Sequence, residues 1–120
     1  MTNPVCEYTT EGLLEIVEAQ KEILDYSEVG LGTFDEDGEI VEASWPNYER
    51  AILMTSIVTL SDGTPALAAD VQFSGPDSGY GEFNAVFVAL GSTIQGKGRW
   101  EEIQRLPATV IGRWRLTFRP

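Results

Sequence analysis

The chain has 120 residues, 42% apolar and 10% aromatic, with 19 acidic and 8 basic side chains giving a net charge of -11. It holds no histidine and one cysteine, Cys6, which excludes Ser-His-Asp and Cys-His catalytic pairs, His-ligated metal, an internal disulfide and a four-cysteine zinc site. The length suits one domain over residues 1–120, and the charge opposes nucleic acid and anionic membranes as partners, since both require clustered Lys and Arg.

From the N-terminus, Met1-Thr2-Asn3-Pro4-Val5-Cys6 shows no basic segment leading into an apolar one. A secretory signal is therefore not expected, and no run approaches the roughly 18–20 apolar residues of a membrane span. Synthesis in a cytoplasm with Cys6 reduced is the expectation, with no membrane insertion. Thr9 or Thr10 opens a helix, its hydroxyl suited to an orphan N–H of the first turn and Glu11 to the positive helix end. Leu13, Ile16, Val17, Ile23 and Leu24 recur at three- and four-residue spacing, so the helix is expected to run from about residue 10 to Tyr26 with one apolar stripe.

Beyond the helix the period changes. Val29–Phe34 reads as a strand, Glu36-Asp37-Gly38-Glu39 as a turn, and Glu39–Trp45 as a strand stopped by Pro46. Arg50–Leu60 reads as one long β-branched strand, and Ala66–Phe73 as another. Glu82–Leu90, apolar on both faces, has the character of a central strand. Gly91–Gly98 reads as a polar loop, and Trp100–Leu106 as either a strand or a helical turn. In the last segment Trp114, Leu116 and Phe118 alternate with Arg113, Arg115, Thr117 and Arg119, giving an apolar face and a basic face. The expected class is mainly β: an antiparallel, jelly-roll-like β-sandwich of about six or seven strands over residues 29–119, preceded by one amphipathic helix.

Charge is sorted along the chain. Residues 1–50 carry 13 acids against Lys21 and Arg50, residues 51–96 carry four acids and no base, and residues 97–120 have a balance of +4. Either the two ends neutralise each other within one small fold, or a basic face of one copy meets an acidic face of the next.

Candidate chemistry is sparse. Asp35, Glu36, Asp37, Glu39 and Glu42 offer oxygen ligands for calcium, but Gly38 follows Asp35 at hairpin spacing and not at the spacing of a calcium loop. Gly91–Gly98 lacks the Gly-Lys-Ser/Thr ending of a phosphate loop. No pair of carboxylates is singled out for acid–base work, so no catalytic residue, no metal and no cofactor is expected. Trp45, Tyr48, Tyr80 and Trp100 sit at or beside predicted loops, where such rings cap a sandwich, anchor an interface or stack on a sugar. Arg113, Arg115 and Arg119 are the candidate basic contact, and Arg50 with Asp70 a candidate structural ion pair.

The order of features also carries a resemblance. Thr10-Glu11-Gly12-Leu13-Leu14-Glu15-Ile16-Val17 leads to Val29-Gly30-Leu31-Gly32-Thr33-Phe34, an acidic turn, and the Tyr-x-Arg element of Tyr48-Glu49-Arg50. Ala69-Asp70-Val71-Gln72-Phe73 follows, then Tyr80-Gly81, expected to turn the chain tightly into Asn84–Leu90. This order resembles small virion proteins of tailed bacteriophages of the tail-fibre or tail-collar-like type. The resemblance implies a non-enzymatic tail component in the virion, partnered by copies of itself, other virion proteins and a host surface receptor. A capsid decoration or head–tail connector subunit is the second structural reading. A carbohydrate- or small-ligand-binding β-sandwich is the third.

Overall fold

The computed structural model describes residues 3–120. Helix α1 spans Thr10–Leu24, and the strands are β1 Glu28–Phe34, β2 Ile40–Glu42, β3 Ala51–Ile52, β4 Ser56–Thr59, β5 Pro65–Ser74, β6 Tyr80–Leu90, β7 Thr93–Pro107 and β8 Ile111–Phe118. The Thr9 side chain caps α1 by accepting the Gly12 N–H at 3.0 Å, and the helix stops at Asp25, before Tyr26 turns to a positive φ. Val17 is fully buried and Leu24 packs on the core, whereas Ile23 of the same stripe is half exposed.

All strand pairs are antiparallel. The larger sheet runs β2-β1-β6-β7 with β3 pairing to β1 beside β2, and the smaller runs β4-β5-β8. Their facing sides share one core, with Val29, Leu31, Phe83 and Val88 from the larger sheet and Ala69, Val71 and Phe73 from the smaller. An aromatic chain threads it. Trp100 and Trp114 both meet Phe83 edge-on, at 5.3 and 5.2 Å, Trp114 meets Phe73 at 6.0 Å, Tyr48 stacks on Phe73, and Trp45 meets Tyr48 at 5.3 Å. Such tilted and edge contacts add to the area these large rings bury. Strand β8 keeps the alternation expected of it, with Trp114, Leu116 and Phe118 turned to the core and the arginines outward.

Several segments depart from the sequence expectation. Arg50–Leu60 is two strands in different sheets, because Leu53, Met54 and Thr55 carry the chain from the edge of one sheet to the edge of the other. Gly91–Gly98 is largely strand: only Gly91 and Ser92 turn, and β7 begins at Thr93. Trp100–Leu106 takes the strand alternative of the two expected, and the register slips between Phe83↔Gln104 and Ala85↔Arg99, so extra β7 residues bulge out around Trp100. Gly81 lies inside β6 and makes no turn. It leaves room for Trp45, whose ring atoms would sit 2.8 Å from any Cβ at that position.

Candidate functional site

One side of the sandwich is closed and the other open. On the closed side the β3–β4 crossover is held by the end of α1. Tyr26 N–H donates to the Leu53 carbonyl and Leu53 N–H to the Ser27 carbonyl, both at 2.8 Å. Asp25 accepts the Thr55 backbone N–H and hydroxyl at 2.9 and 2.6 Å, and Lys21 reaches both Asp25 at 2.7 Å and the Thr55 carbonyl. Burial pushes the Asp25 carboxyl up, but the Lys21 and Thr55 donors outweigh it and hold the group below its ordinary value.

Above the crossover lies a second polar knot. Glu42 accepts from Arg50 Nε and Nη2, each at 2.8 Å, and from the Tyr48 hydroxyl at 2.7 Å. The same Tyr48 oxygen accepts the Leu31 N–H at 3.0 Å, in the stretch of β1 between its pairings with β2 and β3. The Arg50 guanidinium draws the Glu42 carboxyl below its ordinary value, and burial with the Glu42 contact pushes the Tyr48 phenol far up. Arg50 also lies 5.2 Å over the Phe87 ring, which itself lies against the bare Cα of Gly30.

The opposite side has no crossover. Strands β7 and β8 are the last of their sheets, and each leaves one edge unpaired. Between them opens a cleft of about 660 Å³, bordered by Gln95–Trp100 on β7, Arg115–Arg119 at the end of β8, Val86 and Val88 of β6, and Gln20, Ile23 and Leu24 of α1. The hollow has a local cause. Along β7 the more buried positions include Gly96, Gly98 and Trp100, alternating with exposed Gln95, Lys97 and Arg99, so two inward positions carry no side chain. A Cβ at Gly96 would meet nothing within 4 Å. The floor is therefore apolar, from Val86, Val88, Leu116, Phe118 and Trp100, while Lys97, Arg99, Arg115 and Arg119 stand around it. Among the described residues no acid lines this cleft, in a chain whose acids outnumber its bases 19 to 8. Arg99 is partly committed, lying 3.8 Å over the Phe34 ring. The arrangement can hold a partner that is apolar and extended at its centre and anionic at its margins.

The candidate residues fall into distinct places. Arg115 and Arg119 border the cleft, while Arg113 stands on the outer face of β8 opposite Gln72. Tyr80 is 63% exposed at the far end of β6, with Arg105 6.0 Å over its ring. Trp45 and Tyr48 are not free contact residues. Trp45 donates its indole N–H to the Ser74 carbonyl at 2.8 Å and lies against Phe83, and Tyr48 is stacked on Phe73 with its hydroxyl fully engaged. Both rings cap the end of the sandwich. The expected Arg50–Asp70 pair does not form, because the strand register seats Asp70 opposite Arg115, with Arg115 Nη1 3.4 Å away, and gives Arg50 to Glu42. Asp35 Oδ1 accepts the Asp37 and Glu39 N–H groups at 2.9 Å and so shapes its own turn. Among the described residues no acid or cysteine group is arranged to hold a metal ion, and no helix is long and apolar enough to cross a membrane.

Sequence reasoning missed the β7 half of the cleft. The signal was there: Gln95-Gly96-Lys97-Gly98-Arg99-Trp100 has the same period of two as β8, with glycine in place of apolar side chains. Comparison with protein-family models, curated proteins and solved structures finds no match to this chain.

Proposed function

We propose that the chain is a non-enzymatic structural subunit of a bacteriophage virion, in the tail as a fibre, collar or baseplate-associated component. The observation that carries this reading is the open side of the sandwich. A protein that works alone blunts or covers its unpaired strand edges, because they template association. Here two edges lie together around an apolar, cation-rimmed cleft, as suits a subunit completed by its neighbours. The long shape, 60 × 31 × 29 Å, suits a place in an extended assembly.

The segments behind the tail-protein resemblance each have work in the fold. The Val29–Phe34 segment is the β1 core strand, Tyr48 and Arg50 lock the β2–β3 edge through Glu42, and Ala69–Phe73 and Asn84–Leu90 are the central strands of the two sheets. The test is immunolabelling of purified particles with mass-spectrometric copy number. Label on the tail supports the reading, label on the head lattice replaces it with a decoration or connector subunit, and absence from particles overturns it.

A second reading, a module binding a carbohydrate or small ligand, is favoured by Trp100 in the cleft floor. Glycan-array binding together with a ligand-induced change in Trp100 fluorescence, lost in Trp100→Phe, supports it. Silence in both removes it.

A further inference from the structure

We infer that copies of this chain associate head to tail, the open β7/β8 side of one receiving the closed β2/β4 side of the next, so that both sheets continue from copy to copy. This rests on the assembly reading above and names the partner and surfaces it would use.

Sheet order carries the geometry. In the larger sheet β2 and β7 are opposite edges, and in the smaller sheet β4 and β8 are opposite edges. The crossover from β3 to β4 takes only Leu53–Thr55, which sets the β2/β3 edge and the β4 edge on one side of the molecule. The cleft shows that β7 and β8 share the other. Each copy therefore presents two unpaired edges on either side, in an arrangement that lets β2 lie along β7 and β4 along β8 of a neighbour.

Charge selects this pairing over its alternatives. The open side carries Lys97 and Arg119, and Arg115 beside its Asp70 partner, and no acid among the described residues lines the cleft. The closed side presents exposed Glu36, Asp37 and Glu39 in the turn leading into β2. Joining two open sides sets cation against cation, and joining two closed sides sets acid against acid. Only the unlike sides attract. Apolar groups complete the match. Val41 on β2 is 54% exposed and Ile57 on β4 40% exposed, while the floor opposite is hollow at Gly96. Because the two surfaces differ, the contact is heterologous and builds a ring or a filament.

The experiment is sedimentation velocity on the full chain over a concentration series, at about 0.02 M and about 0.5 M salt, where screening lengths differ several-fold. The expected result is association that grows with concentration at low salt and recedes at high salt. Two exposed charge reversals follow: Lys97→Glu with Arg119→Glu on one side, and Glu36→Lys with Glu39→Lys on the other. Each variant alone should sediment as a monomer, and an equimolar mixture should associate again. The inference is overturned by a wild-type monomer under all conditions, by variants that associate unchanged, or by a mixture that stays monomeric. The salt response of the unaltered chain answers the question even if a variant fails to fold. Tail label on particles with a monomeric chain overturns this inference alone. Charge-swap rescue with absence from particles supports the inference and overturns the virion reading alone.

Discussion

Glu42 and Gly30 show how much of this fold rests on single positions. Glu42 accepts three hydrogen bonds from Arg50 and Tyr48, and its carboxyl is held below its ordinary value. A group depressed in the folded state stabilises fully above its unfolded value, and that contribution is lost as pH falls through the folded one. Asp25, also depressed, contributes in the same direction. Urea midpoints measured from about pH 7 down to about pH 3 should therefore fall on the acid side, and Glu42→Gln should flatten part of that fall. At neutral pH the same substitution should cost about 1–3 kcal/mol, because Arg50 and Tyr48 lose a charged acceptor in a half-buried site. The two glycines make a controlled pair. A methyl at Gly30 runs into the Phe87 ring, while a methyl at Gly96 enters open space. Gly30→Ala should lower stability by about 1–3 kcal/mol through overpacking. Gly96→Ala should be neutral or stabilise by up to about 1 kcal/mol by restricting the unfolded chain. Parallel urea titrations check both.

At the scale of elements, the break between β3 and β4 decides the architecture. Nothing in the β-branched run from Arg50 to Leu60 marks Leu53–Thr55 as a crossover, since those residues have ordinary strand propensity. The break is imposed from a distance by Asp25, Tyr26 and Ser27 on the chain leaving α1. Thr55→Val, which keeps shape and removes the hydroxyl, should cost about 1–2 kcal/mol, and a double-mutant cycle with Lys21→Met should show coupling of about 0.5–3 kcal/mol. Denaturant unfolding of the four proteins in the cycle measures it. The same contrast explains which elements could be read from the sequence. α1 and β8 carry strong local periodicity, β1, β5 and β6 are apolar runs, and all five lie where expected, to within a few residues. β7 was hidden because its inward positions include glycine, which erases the apolar half of the alternation. The Arg50 partner was hidden because ion pairing across strands depends on register, and register emerges only when the sheets assemble. The β8 half of the cleft was therefore legible through its arginines, and the β7 half was not.

For the whole molecule, shape and charge point the same way. The radius of gyration is 16.8 Å, against about 14 Å for a compact chain of this length. A long sandwich with one side closed has uneven protection built in. Central strands β1, β5 and β6 have partners on both sides, whereas β7 and β8 have one. Hydrogen exchange on a dilute sample in high salt should therefore find amides on the outer edges of β7 and β8 among the fastest in the strands, through local opening well below the global unfolding free energy. Raising concentration at low salt should slow those edge amides, together with the outer edges of β2 and β4, while leaving the central strands unchanged. That pattern separates a sheet-continuing contact from the alternatives. General stabilisation would slow all strands together, and a ligand or contaminant filling the cleft would protect β7 and β8 but leave β2 and β4 fast. Protection confined to one side of the sandwich would remove the head-to-tail contact, because a heterologous interface must cover both of its surfaces.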